Sequence, residues 1–330
     1  MSSLTTTYMG LTLKNPIIAA SSGLTNSIEN IKAIEANGAG AVVLKSLFEE
    51  EIIMETKDNM NKMQASGFIY PETLDYFDFD DMEDPVANFL KLISDAKKSV
   101  SIPIIASVNC VTADKWPDFA KRIQDAGADA IELNIFALPS DFHRTAEQNE
   151  QLYFDIISRV TSIVKIPVSV KISPYNASLG SFIKRLGETP IKSIVLFNRF
   201  YNPDFDIYTL DYTAGTVFST PAEFAMPLRW IAIMADRTEC DLAASTGVHD
   251  GNTVVKALLA GASVTQIAST LYKNGFEHIQ LMIRQIEDWM KEKGYKSIAD
   301  FKGKLSQEKG HDPAAFERVQ FMKHFKDLKR

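Results

Sequence analysis

A chain of 330 residues, 45% hydrophobic and 23% charged, has ordinary globular composition and is long enough for one barrel-sized domain. Its formal net charge of −7, with no basic stripe, argues against a nucleic-acid partner. Cys110 and Cys240 are too few and too far apart for a disulfide framework, a metal site or a cluster housed by this chain alone. No run approaches the roughly 20 apolar residues of a membrane span, and the start "MSSLTTTYMG" lacks a basic segment leading into an apolar one, so a cytoplasmic protein with no membrane partner is expected.

Short β-branched runs recur along the chain, separated by segments long enough to hold a helix, which is the alternation of a parallel α/β sheet. Eight are predicted: Pro16 to Ala20, Ala41 to Ser46, Pro103 to Val108, Ala130 to Ile135, Pro167 to Ile172, Ser193 to Asn198, Cys240 to Ser245 and Ser263 to Ala268. Most are continuously apolar, as strands covered on both faces are. Eight such units predict a (β/α)8 TIM barrel. Three strand entries, "EANGAGAVVLKS", "QDAGADAIELNI" and "LLAGASVTQIAS", share a glycine (Gly38, Gly127, Gly261) placed to end the preceding helix in a left-handed conformation. In "TADKWPDFAKRIQDAG" the apolar stripe Trp116, Phe119, Ala120 and Ile123 predicts an amphipathic helix with Thr112 as its N-cap.

Two segments break the rhythm, residues 47 to 84 and 199 to 221, and both follow strands onto the carboxyl face, where long loops are usually functional. After the eighth strand comes a closing helix with a short cap. The barrel domain is assigned to residues 1–305 and a helical extension to 306–330, with Asp312 and Pro313 as N-cap and first residue of a further helix.

The motifs at the strand ends resemble those of the dihydroorotate dehydrogenase family, nearest its soluble class 1 branch, over about residues 4 to 305. They are "NPIIAASSGLT", "VLKS", "IELN", "VKISPY", "FN", "STGVHDG", "QIASTLYKNG" and "KGYKSIADFKGKL", in that order and at successive strand ends. The resemblance implies a flavin mononucleotide (FMN) barrel that oxidises the small molecule dihydroorotate to orotate in pyrimidine synthesis. The residue types suit that cofactor. Ser245, Thr246 and Gly247, with Ala268, Ser269 and Thr270, put amides and hydroxyls where barrels commonly bind phosphate. Small residues at Ala20 and Ser21 admit a close backbone approach to the ring, and by the resemblance Ser46, Asn134 and Asn198 are further cofactor contacts. By the resemblance, Lys171 neutralises charge developing on the ring edge, and Lys45 lies between cofactor and substrate.

The strand-four motif of the family carries a Cys or Ser base; here it reads Asn134-Ile135-Phe136-Ala137-Leu138-Pro139, and Ala137 cannot accept a proton. A positioned base is worth about 100- to 10,000-fold in rate, so a substitute is sought among Ser140, Cys110 and His143. Substrate contacts fall on Gln64, Asn134, Asn198 and Arg199, the last able to clamp a carboxylate or phosphate. Ser245 and Ala268 stand where the family has glycine, and the flavin loop is thinned to "AGTVFSTP". The alternative is a non-catalytic or differently specific FMN- or phosphate-binding barrel. A sugar-phosphate aldolase or epimerase lacks a paired acid and base in the motifs. Class 1 resemblance implies a homodimer, with Phe200, Tyr201, Phe205 and Tyr208 as the contact or else as a lid on their own barrel. The short amino-terminal lead points to a soluble acceptor such as fumarate, or to a separate electron-transfer subunit.

Overall fold

The structure, a computed structural model, describes residues 3–48, 85–110, 116–135, 138–200, 203–310 and 316, the side chains of residues 110, 116–118 and 214 excepted. The chain opens with a hairpin that the strand count did not include: β1 (Thr6–Tyr8) pairs antiparallel with β2 (Leu11–Leu13). The barrel follows. Its strands are β3 (Ile17–Ala19), β4 (Ala41–Val43) prolonged by the two-residue β5 (Leu47–Phe48), β6 (Ile104–Cys110), β7 (Ala130–Ile135), β8 (Val168–Ile172) and β9 (Ser193–Leu196). A second hairpin, β10 (Pro203–Asp206) and β11 (Asp211–Ala214), interrupts before β12 (Asp241–Ser245) and β13 (Val264–Ile267) close the set. The parallel order β4-β3-β13-β12-β9-β8-β7-β6 is joined into a ring by pairing of β4 with β6. All eight predicted strands are present, and the (β/α)8 expectation holds.

Local chemistry sets the helix ends. Asp250 caps the helix Gly251–Ala260, its carboxylate accepting from the Thr253 amide at 2.7 Å, and Thr145 with Gln148 forms a reciprocal capping box at Ala146–Thr161. Gly38, Gly127 and Gly261 take φ of 98°, 99° and 120°, the left-handed exits their motifs predict. The proposed cap Thr112 lies outside the described residues. The helix there, Trp116–Asp125, buries Phe119, Ala120 and Ile123 against the sheet.

Alternation divides the apolar side chains into two cores. Outward residues such as Ile104, Leu133, Val170, Ile194 and Leu242 pack under the helices. Inward residues Ile18, Val43, Ile105, Val195, Ala243 and Val264 fill the lower half of the barrel, and the first hairpin stoppers it with Tyr8, Met9 and Leu13. The stopper is pinned by polar bonds: the Met9 amide donates to Asp241 Oδ2 at 2.8 Å, and Ser193 Oγ donates to the Tyr8 hydroxyl at 3.0 Å. The lower barrel is therefore solid, which leaves its upper half for chemistry.

The carboxyl-terminal part packs past the assigned boundary. The amides of Leu305 and Gln307 donate to Leu259 and Ala232 carbonyls at 2.8 Å each, and Ser306 and Gln307 are buried. Asp312 and Pro313 lie outside the described residues. Among the described residues no helix is long and apolar enough to cross a membrane.

Candidate functional site

Above the apolar stopper the inner wall turns polar. The inward positions of β7, β8 and β13 carry Glu132, Asn134, Lys171 and Gln266; the last three bound a cavity of about 190 Å³ that opens at the carboxyl ends of the strands, and Glu132 lies fully buried beneath it. Sheet register places them: Asn134 pairs with Lys171 across β7 and β8. Lys171 is 7% exposed, and its Nζ donates to Gln266 Oε1 at 3.0 Å from across the barrel. A nearly dry ammonium with donors left over is a strong local source of positive potential.

Ala20 and Ser21 form one wall. Ala20 is tied by its amide to the Ile267 carbonyl at 2.8 Å, and Ser21 Oγ lies 3.0 Å from Ser46 Oγ. Ser46 in turn meets Ser107 Oγ at 2.7 Å, so Ser46 supports the wall from behind without lining the cavity. That contact has a consequence for Lys45. Strict alternation from Val43 would aim Lys45 inward, but the chain slips between β4 and β5, Ser46 takes the inward place, and Lys45 is exposed in a separate groove beside Glu29 and Asp95. Lys45, expected between cofactor and substrate, does not line this cavity.

On the opposite wall Asn198 Nδ2 donates to Asn134 Oδ1. One amide donor pair on Asn134 and the carbonyl of Asn198 remain to face a ligand. Arg199 lies at the rim, with most of its donors engaged by the protein. Nε donates to Glu223 at 2.7 Å, and the terminal nitrogens donate to the Val217 and Thr216 carbonyls at 2.8 Å each. It fastens the loop before the next helix, so its bonds in the structure are those of a loop anchor. Although partial burial of Glu223 works against it, the Arg199 bond and the Thr220 amide hold the Glu223 carboxyl below its ordinary range.

The far end of the cavity is built from the turns after β12 and β13. Thr246 and Gly247 both have positive φ, 76° and 77°, and the Thr246 hydroxyl donates to the Phe197 carbonyl at 3.2 Å. A Cβ at Gly247 would stand 2.3 Å from the Phe224 nitrogen, so only glycine fits. Ser219, from the thinned "AGTVFSTP" loop, is knitted into this end. Its amide donates to Ser269 Oγ at 3.0 Å, its hydroxyl accepts from the Gly247 amide at 3.4 Å, and its carbonyl accepts from Lys273 Nζ at 3.0 Å. His249 Nε2 is 3.2 Å from the same hydroxyl. Burial, and then the Lys273 charge, hold the His249 imidazole below its usual pKa and so favour its neutral form. Thr270 turns away: it is buried and its hydroxyl donates to the His249 carbonyl at 3.2 Å, so it does not line the cavity as expected.

Of the anticipated cofactor set, all but Lys45, Ser46 and Thr270 line this one cavity. Of the substrate set, Asn134, Asn198 and Arg199 line it, and Gln64 lies outside the described residues. The anticipated bases do not gather. Ser140 is exposed, and His143 is exposed in an outer cleft with Gln148 and Asp155. Cys110 ends β6 beside Ile135, its side chain outside the described residues, as is Ala137. The base of that loop is nonetheless anchored: Tyr153, whose phenol burial pushes up to about 12, donates to the Ile135 carbonyl at 3.3 Å. Sequence reasoning passed over Glu132, Gln266, Ser219, His249 and Lys273. Glu132 and Gln266 carried a readable sign, being polar residues at inward positions of otherwise apolar strands.

Comparison with known proteins agrees with this geometry. The family model for dihydroorotate dehydrogenase matches residues 3–290. The chain is 27% identical to the catalytic subunit of dihydroorotate dehydrogenase B (NAD(+)) from Thermoplasma volcanium, over 92% of this chain and 98% of that one. It is 26% identical to dihydroorotate dehydrogenase (fumarate) from Saccharomyces cerevisiae, again over 92% and 98%.

Proposed function

The chain belongs to the dihydroorotate dehydrogenase family, and from that premise we propose that it is an FMN-dependent oxidoreductase that removes two hydrogens from a CH–CH bond of dihydroorotate or a closely related dihydropyrimidine. The observation that carries the reading is the meeting, in one cavity, of the Lys171 ammonium, the Asn134–Asn198 pair and the two phosphate-type turns. When bound, FMN supplies a two-electron acceptor that no protein side chain can replace.

The residues present suit that cofactor. Lys171 is a nearly buried cation at the floor, where it favours electron density arriving on the ring edge. Ala20 and Ser21 add little bulk, so the backbone of β3 can approach a flat ring. The Ser219 and Ser269 hydroxyls, which accept from neighbouring amides and keep their own protons to donate, stand at the turns where a phosphate would lie, with Lys273 close behind. Asn134 and Asn198 hold complementary donor and acceptor groups for a ring that carries alternating N–H and C=O.

The carbon-bound proton must also leave. With alanine at position 137, and with Ser140 and His143 exposed away from the cavity, Cys110 is the candidate base that remains at a strand end. The same facts favour a second reading, a barrel of this family that binds FMN but acts on a different ring. We further place the protein in the cytoplasm as a homodimer, using the exposed Phe205 and Tyr208 of the second hairpin. Electrons then pass to a soluble acceptor or to a separate electron-transfer subunit.

The test is an anaerobic titration of FMN-loaded protein with dihydroorotate, followed by flavin absorbance. Bleaching within the family's ordinary turnover time supports the first reading. Colour retained at saturating dihydroorotate transfers the protein to the second, and a chain that takes up no FMN ends both.

A further inference from the structure

Beneath the cation at the cavity floor lies an anion that no step described so far uses. Glu132 is fully buried at the centre of the barrel. Its Oε2 accepts from Gln266 Nε2 at 2.5 Å, while Gln266 Oε1 accepts from Lys171 Nζ at 3.0 Å. Its other oxygen, Oε1, has no hydrogen-bond partner among the described residues and stands 3.6 Å from Lys171 Nζ. The three groups come from three strands, and Gln266 spans the barrel between them.

A carboxylate with no access to water is costly unless a cation or hydrogen bonds compensate it. Here only half of it is hydrogen-bonded. The open oxygen faces the ammonium at slightly more than contact distance, because Gln266 holds both partners and keeps them from closing. Below, Tyr8 offers no competing charge: burial, and then the Glu132 charge itself, push its phenol up, so it stays neutral. Lys171 therefore presents a cation to the cavity with its opposite charge fixed on the far side.

We propose that Glu132, held by Gln266, is a positioning residue for Lys171 that draws the ammonium down to the cavity floor, thereby setting how readily a bound flavin accepts electrons. This rests on the reading that the cavity holds FMN. The physical logic is electrostatic: Glu132 attracts the ammonium toward the floor, and removing the anion frees Lys171 to extend into the cavity, where at short range and low dielectric its charge favours electrons on the ring.

The experiment measures the reduction potential of FMN in the full-length protein by reductive titration against reference dyes. For Glu132→Gln with FMN bound, the reduction equilibrium should shift in favour of reduced flavin by about tenfold, about 30 mV for a two-electron couple. In a Lys171→Met background the same change should shift it by less than about threefold, since the effect runs through Lys171. Gln266→Leu should act with opposite sign, because the freed ammonium closes onto Glu132, and this variant serves if Glu132→Gln does not fold. An unchanged potential in both variants with FMN retained, or an equal shift with and without Lys171, overturns the proposal while leaving the flavin reading intact. Parent protein that binds no FMN removes the flavin reading itself, and the proposal with it.

Discussion

At the mouth of the barrel, Asn134, Lys171 and Gln266 stand on strands and converge on one cavity, whereas Ser140 and His143, a few residues beyond Asn134 in the chain, lie exposed on the loop after β7. Arg199 and Lys45, both just past strand ends, behave like the loop group: one fastens a neighbouring loop and the other faces a different groove. The contrast comes from how each set is constrained. A strand residue has its direction set by pleat and register, so knowing the strand gives the direction of the side chain. A loop residue goes where its hydrogen bonds take it, and those partners are distant in sequence.

Each of the following experiments strains that contrast, beginning with the largest effect. Lys171→Met should lower the anaerobic rate of flavin reduction about 100- to 1,000-fold, as loss of a preorganised charge does; a loss under tenfold would detach the strand-borne cation from the chemistry. Gly247→Ala should cost about 1–3 kcal/mol of stability in urea unfolding, from positive φ and the clash with Phe224. A near-neutral result there would mean that the turn after β12 is free to rebuild.

Arg199→Ala should weaken FMN binding about tenfold by releasing the loop that carries Ser219, since a charged hydrogen-bond set is worth about 1.5–3 kcal/mol. If instead the KM for dihydroorotate rises and FMN affinity is unchanged, Arg199 reaches substrate and the loop group is more functional than its bonds suggest.

A smaller effect concerns pH. The folded chain holds His249 neutral where the unfolded chain takes up a proton, so this contribution to stability is complete above the ordinary value of 6.5 and is lost as pH falls from there through the lowered folded value. Denaturation midpoints measured across that range should show the decline, and His249→Gln should flatten it. The smallest change belongs to Ser140→Ala and His143→Ala, each expected within about twofold of the parent rate, where a true base would lose about 100-fold or more.

The periodic runs, the glycine exits at Gly38, Gly127 and Gly261, and the strand-end motifs were enough to read the barrel and most of the cavity lining. They act over a few residues, and alternation or left-handed geometry leaves them little choice. The first hairpin was less visible, because its strands are three residues each and acquire their meaning only by stoppering a barrel formed by residues far along the chain. Glu132 was legible as a polar residue on an inward face, but not as the counter-charge of Lys171.

What the amino-acid order determined by itself, then, was the architecture and which strand-end side chains look into the mouth, since pleat and local turn chemistry are short-range. Only the folded chain decided that Ser46 displaces Lys45, that Arg199 fastens Glu223 and its loop, and that Gln266 ties Glu132 to Lys171 across the barrel. Those outcomes depend on groups tens to hundreds of residues apart competing for the same hydrogen bonds, and that competition exists only once the ring of strands has closed.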